Sequence, residues 1–167
     1  EVFRCNAGSP DGIAMVDART GEIIFHQAAD GDTGRGLAAD ISDKYEGYEF
    51  WGPKGNNPRE TASGEFNTII SSVPSMNFRI YWDGDLEREI LDGTTISKMM
   101  STSQISTLLS ADGCASNNST KSNPCLTADL FGDWREELLL RTSDNRAIRV
   151  FCTPYTTDKR ITTLMHD

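Results

Sequence analysis

Apolar residues along this chain fall in short runs bounded by Gly, Pro, Asp and Asn, which is the pattern of short strands rather than of helices. Gly12-Ile-Ala-Met-Val-Asp17 and Gly21-Glu-Ile-Ile-Phe-His-Gln27 flank Ala18-Arg-Thr-Gly21, and Asp-Ala-Arg-Thr-Gly predicts a tight hairpin turn between two strands. Further strands are predicted at Leu37 to Ile41, Glu49 to Gly52, Phe66 to Ser71, Phe78 to Trp82, Glu89 to Leu91, Glu137 to Arg141, Ala147 to Cys152 and Arg160 to Leu164. Thr95 to Leu109 is the one stretch with room for a helical turn, and its Ser/Thr density argues against a stable one. Pro53 to Gly64 and Ala111 to Leu126 read as long loops, where binding residues tend to sit. The expected fold class is all-β.

One arrangement recurs among the predicted strands. Asp129-Leu-Phe-Gly-Asp133-Trp-Arg-Glu136-Glu137 places acids around a Gly-containing turn and leads into an apolar run. Asp40-Ile-Ser-Asp43-Lys-Tyr-Glu46-Gly-Tyr-Glu49 and Trp82-Asp83-Gly-Asp85-Leu-Glu87-Arg-Glu89 share the outline. Glu49, Glu89 and Glu137 lie 40 and 48 positions apart, a spacing at which repeats build the blades of β-propellers. About three blades fit this length, fewer than the roughly four to eight of a closed ring. Oxygen-rich turns of this kind bring ligands around a hard cation, so Asp40, Asp43, Glu49, Asp83, Asp85, Glu89, Asp129, Asp133 and Glu137 are candidates for Ca2+ ligation or structural pairing. Trp51, Trp82 and Trp134 each accompany an acidic turn and are expected to be repeated packing elements, with stacking on a sugar the alternative for one of them. His26 and His166, beside Phe25 and Met165, read as core or strand-end residues.

The formal charge of −9 and pI near 4.7 argue against a duplex nucleic-acid binder, which needs clustered Lys and Arg. A solvated acidic surface is the alternative to cation binding at this stage. The chain has no long apolar run, which argues against a membrane span, and its start at Glu1-Val-Phe-Arg suggests a processed or excised segment. Cys5, Cys114, Cys125 and Cys152 lack the paired spacing of a zinc site; an even number suits disulfides and export. A Cys114–Cys125 bridge would close the polar loop between them, and Cys5 could then pair with Cys152, although four cysteines permit three pairings and free thiols are the alternative.

Two polar constellations carry candidate chemistry. In Gly34-Arg35-Gly36 the flanking glycines give a ligand room to approach, and the guanidinium fork suits a carboxylate; a structural pair with a neighbouring Asp is the alternative. Ser116-Asn117-Asn118-Ser119-Thr120-Lys121 supplies amides and hydroxyls suited to sugar hydroxyls and a Lys suited to a uronate. It also contains two overlapping glycosylation sequons, Asn117-Asn-Ser and Asn118-Ser-Thr.

Gly34-Arg-Gly-Leu-x-Ala-Asp40, Asn77-Phe-x-Ile-x-Trp-Asp-Gly-Asp-Leu-x-Arg-Glu89, Ala115-Ser-Asn-Asn-Ser-Thr-Lys121, Ala128-Asp-Leu-x-Gly-Asp-Trp-Arg-Glu-Glu137 and Arg160-Ile-x-Thr-Leu-Met-His-Asp167 together resemble polysaccharide lyase family 11, the rhamnogalacturonan lyases. The resemblance runs in order over nearly the whole chain. It implies part of an eight-bladed, calcium-binding β-propeller that cleaves the rhamnogalacturonan I backbone of pectin by β-elimination at galacturonate, the remaining blades being partners in the parent chain. It further implies that Arg35 and Lys121 neutralise the substrate carboxylate and that Asn118, Ser119 and Thr120 contact substrate, although the family often has Gly at the position of Ser119. The family's tyrosine for proton transfer lies past Asp167, and neither Tyr81 nor Tyr155 matches it, so the isolated segment is expected to have little activity. Two alternatives compete with this reading: a non-catalytic carbohydrate-binding propeller, and a calcium-stabilised interaction repeat without glycan chemistry.

Overall fold

The computed structural model describes residues 1–8, 10–53, 59–60, 64–69 and 73–163, Glu60 by its backbone alone. The described residues form four antiparallel sheets and almost no helix. The first joins β1 (Val2–Cys5), β2 (Ile13–Val16) and β3 (Ile23–Gln27), and the second joins β4 (Leu37–Ala39), β5 (Glu49–Trp51) and β6 (Arg59–Glu60). The third runs in chain order through β7 (Phe78–Ile80), β8 (Glu89–Asp92), β9 (Thr95–Ser101) and β10 (Gln104–Ser110). In the fourth, β13 (Glu137–Thr142) is central. β14 (Ile148–Phe151) lies along one of its edges, and β11 (Cys114–Ala115) and β12 (Leu126–Ala128) share the other. The loop between β11 and β12 therefore interrupts a single edge position.

The chain clusters into two units. Glu1–Met76 with Met99–Ile105 form one, and Asn77–Lys98 with Ser106–Asp167 form the other. In the first, Phe50 is fully buried at the centre of an aromatic cluster, with ring centroids 5.2 Å from Phe3, 5.5 Å from Phe25 and 5.8 Å from Phe66. These rings, with Ile13 and Met15, join the inner faces of the first two sheets. Edge-to-face and tilted rings at such distances add about 1 kcal/mol per pair to the gain from burial. In the second unit, Ile80, Leu91 and Ile96 from the third sheet pack with Leu138 and Leu140 from the fourth, and Trp82 and Ala111 complete the core.

Glu49, Glu89 and Glu137 each open the central strand following an acidic turn, and all three are buried. In each case Oε2 accepts a backbone N–H from the preceding turn: Ile41 N at 2.9 Å, Trp82 N at 2.8 Å and Leu130 N at 2.8 Å. The recurring acid is thus a turn clamp, and at Ile41 and Trp82 it pairs a donor that would otherwise be buried without an acceptor. Trp51, Trp82 and Trp134 are buried beside these turns, as their packing role requires.

Several expectations need correction. Thr95 to Leu109, where no strand is predicted, forms most of the two longest strands, β9 and β10, and completes the third sheet. Ile and Thr suit a pleated surface, and the two-residue loop Gly93-Thr94, with Gly93 at φ 61°, closes the β8–β9 hairpin. β1, β6, β11 and β12 are also not among the predicted strands, and β6 lies in the stretch read as the Pro53 to Gly64 loop. Residues 160–163 form no strand: Trp134 Nε1 donates to Lys159 O at 3.1 Å and Thr163 donates to Asp129 at 3.2 Å, so the segment is held by side chains of the turns. Thr68 makes only an isolated bridge, with Arg59. Residues 70–71 and 164, the greater part of the Pro53 to Gly64 loop, and His166 lie outside the described residues.

The proposed disulfides are absent; all four cysteines are free. Cys114 packs against the core of the second unit, whereas Cys125 is exposed and accepts a hydrogen bond from Asn117 Nδ2 at 3.7 Å. Cys5 packs in the first unit, where burial pushes its thiol up to about 11, and Cys152 is exposed. The inference of export from disulfides loses its basis.

The clamp predicts a clear stability effect. Glu49→Ala in the full-length protein removes the carboxylate acceptor from the buried Ile41 N–H, and the loss is expected to be about 1–3 kcal/mol, with Glu49→Gln costing less. Chemical denaturation of the three proteins measures it, and equal midpoints would contradict the clamp.

Candidate functional site

The second unit builds the polar loop from β-structure upward. After β11 the chain forms a small antiparallel bridge in which Asn117 N donates to Asn123 O at 2.7 Å and Asn123 N donates to Asn117 O at 2.9 Å. Within it, Ser119–Lys121 make one 3-10 turn, closed by Lys121 N donating to Asn118 O at 3.0 Å. The tip therefore presents Asn118, Ser119, Thr120 and Lys121 together, all exposed.

Three residues that the sequence did not single out hold this tip. Arg141 on β13 donates through Nε to Asn117 Oδ1 at 3.0 Å and through a terminal nitrogen to Ser116 O at 3.1 Å. Asn77 Nδ2 donates to Asp92 Oδ1 at 2.7 Å and to Thr120 O at 3.3 Å. Asn123 Oδ1 accepts from Asn118 Nδ2 at 3.1 Å. Asn77 lay within a quoted motif, but its contact 43 positions away had no local signal.

Backbone shape at the tip is unusual. Asn118, Ser119 and Ser122 have φ of 60°, 48° and 53°, in the left-handed region where only glycine escapes a steric penalty. Asn tolerates it best, while Ser119 is strained relative to glycine at the same place.

Arg35 lies in the first unit, in the segment leading to β4, half-buried. Gly34 N donates to Asp32 Oδ1 at 2.7 Å. The Gly36 requirement is internal rather than ligand-driven: a Cβ there would lie 2.2 Å from Cys5 Sγ and 2.8 Å from Trp51 O. Arg35 and Lys121 thus belong to different units, each placed by its own scaffold.

The acidic turns differ in how their carboxylates are used. At the third sheet, ligand oxygens of Asp83, Asp85 and Glu89 come within 4.8 Å of one another, and Lys98 Nζ donates to Asp83 Oδ2 at 2.6 Å, to Glu89 Oε1 at 3.1 Å and to Asp85 Oδ2. Burial and the charge of Asp83 push Glu89 up to about 7, with Lys98 opposing them. Burial acts against the charged form of Lys98, but its three carboxylate partners outweigh it and raise the ammonium's pKa. At the fourth sheet, Asp129 Oδ1 accepts from Gly132 N at 2.7 Å and Asp133 N at 3.0 Å, and Oδ2 accepts from Trp134 N at 3.0 Å. Asp133 pairs with Arg135 at 2.5 Å; burial pushes its carboxyl up, but hydrogen bonds from Arg135 hold it below the usual range. Burial raises Glu137. In the second sheet, Asp40 is half-buried and Asp43 exposed ahead of the Glu49 clamp.

The class these features define is a scaffold of repeated antiparallel sheets that fixes its turns with buried acids and carries its polar chemistry on loops. A family model for "Rhamnogalacturonan lyase family 11, C-terminal domain" matches residues 1–167, and the chain belongs to that family. It is 47% identical over 158 residues to rhamnogalacturonan endolyase YesW of Bacillus subtilis (strain 168), covering 93% of this chain and 25% of the relative. It is 43% identical over 185 residues to rhamnogalacturonan exolyase YesX of the same organism, covering 100% of this chain and 30% of the relative. The crystal structure of rhamnogalacturonan lyase YesW superposes with a TM-score of 0.88 at 42% identity, covering 99% of this chain and 28% of that one. The chain thus spans roughly a quarter to a third of the length of these relatives.

Ser119→Gly in the full-length protein is expected to raise stability by up to about 1 kcal/mol, since relief of the left-handed strain exceeds glycine's added unfolded-state entropy. Thermal melting reads the change, and a clear loss of stability would show that the Ser119 side chain contributes a contact outweighing the strain.

Proposed function

We propose that this chain is a segment of a β-propeller in a pectin-degrading rhamnogalacturonan lyase, to which it supplies Arg35 and Lys121 as neutralisers of the galacturonate carboxylate. Asn118, Ser119 and Thr120 contact the sugar beside Lys121. The observation that carries the reading is the loop tip itself: an exposed ammonium among amide and hydroxyl groups, held by Arg141 and Asn77.

The chemistry follows from the weak acidity of the galacturonate C5 proton. Removing it places charge on C5 and the adjoining carboxylate; cations at that carboxylate stabilise the enolate-like transition state more than the ground state. The electron pair left by the proton forms the C4–C5 double bond as the C4–O bond breaks, and the departing oxygen takes up a proton. A base outside this chain removes the C5 proton. A preset loop contributes by holding the ammonium where charge develops, with little reorganisation during the reaction.

Calcium belongs to this reading as a structural cation at acidic turns. Asp129, Asp133 and Glu137, and Asp40, Asp43 and Glu49, are the carboxylates that would contribute hard oxygen donors, Asp133 by exchanging its pair with Arg135 for the cation. An extracellular setting is also part of the proposal, resting on the size of a polysaccharide substrate. The relatives include both an endolyase and an exolyase at similar identity, so the mode of attack is left to parts of the protein that shape the ends of the groove.

A non-catalytic carbohydrate-binding propeller would use the same loop, and Lys121→Ala separates the two. For a lyase, kcat of the full-length protein on rhamnogalacturonan I is expected to fall by about 100-fold or more while substrate affinity changes little; a purely binding role would lower affinity without any turnover to lose. Isolated residues 1–167 are expected to produce no rise in ultraviolet absorbance from unsaturated product. Such a rise would place a complete catalytic set within this segment.

A further inference from the structure

The calcium reading assigns the acidic turns one shared purpose, but the turn of the third sheet already contains a cation of its own. We propose that Lys98 closes the Asp83–Asp85–Glu89 turn as an internal ammonium, so that this turn does not take calcium.

The hydrogen bonding accounts for every carboxylate oxygen of Asp83, Asp85 and Glu89, while Glu87 stands beside Asp85 outside this set. Asp83 Oδ1 accepts from Asp85 N at 3.0 Å, Asp85 Oδ1 from Glu87 N at 3.1 Å, and Glu89 Oε2 from Trp82 N at 2.8 Å and Asp83 N at 3.2 Å. The three oxygens that remain, Asp83 Oδ2, Asp85 Oδ2 and Glu89 Oε1, are those that Lys98 Nζ reaches. An ammonium has three N–H donors, so donors and acceptors match one for one. Calcium would have to take the same three oxygens and find further oxygen ligands at roughly 2.3–2.6 Å, with the ammonium displaced from a largely buried position.

The register explains why this turn differs from its repeats. Ser97 pairs with Ile90 across β8 and β9, which sets Lys98 opposite Glu89 one step further along the ladder. The same step at the fourth sheet, from the Leu138–Phe151 pair, sets Cys152 opposite Glu137. At the second sheet Glu60 pairs with Glu49 directly. Among these three strand starts, the cross-strand residue is a lysine only at Glu89. An ammonium at that position ties β9 to the turn between β7 and β8, a task that a bound metal would otherwise perform.

Calcium content of the full-length protein, measured by plasma mass spectrometry after chelation and repletion, tests the proposal with Asp85→Asn and Lys98→Met variants. Asp85→Asn, altering the most exposed of the three carboxylates, is expected to retain the unaltered protein's calcium number. Loss of one calcium per chain would overturn the proposal. Lys98→Met is expected to melt at a lower temperature in chelator; melting unchanged there would also overturn it. If Lys98→Met does not fold, the Asp85→Asn count decides. Complete absence of calcium from the unaltered protein would refute the wider calcium reading, while a Lys98→Met deficit in chelator would still support the internal ammonium.

Discussion

A buried glutamate accepting a backbone N–H from the turn before its own strand is the interaction on which this architecture rests. The central strand of each repeat must begin inside the protein, so the turn leading to it carries peptide groups that water cannot reach. A carboxylate solves this at the start of the central strand in three sheets, through Glu49, Glu89 and Glu137. It does so at a cost, since the carboxylate itself is removed from water, and burial raises both Glu89 and Glu137. Neighbouring acids add to that cost, Asp83 at Glu89 and Asp133 with Asp129 at Glu137, while Lys98 opposes it at Glu89 and backbone donors oppose it at Glu137.

The turns before Glu89 and Glu137 arrange their charges differently. At Glu89 a lysine enters from the adjoining strand, whereas near Glu137 Arg135 pairs with Asp133 and backbone donors converge on Asp129. Similar outlines in sequence therefore conceal different electrostatic solutions. Lys121 stands apart from these turns, on a loop tip whose anchors, Arg141 and Asn77, use hydrogen bonds to loop backbone and amide groups.

The loop shows how a strand edge becomes a presentation device. β11 and β12 occupy one edge of β13 on either side of the inserted tip, so the insertion begins and ends on a fixed ladder. Its left-handed residues compress the turn, and the Asn117–Asn123 bridge closes its base. In Gly34-Arg35-Gly36, by contrast, one glycine is dictated by tight packing against Cys5 and the Trp51 backbone. A sequence that reads as room for a ligand proves in part to be room for the protein itself.

Residue pattern by itself determined the all-β class, the hairpin at Asp17 to Gly21, the starts of β5, β8 and β13, and membership of the lyase family, because turn chemistry, strand patterning and long motifs are written locally along the chain. It also assembled the Asn118 to Lys121 tip as a contiguous unit. Tertiary structure alone decided that Thr95 to Leu109 forms strands, that the cysteines stay free, and that Lys98 meets Asp83, Asp85 and Glu89. The physical reason is common to all three. Strand pairing, thiol distance and the balance of a buried charge depend on which residues stand opposite one another, and register across neighbouring strands is set by the packed core rather than by any local run of sequence.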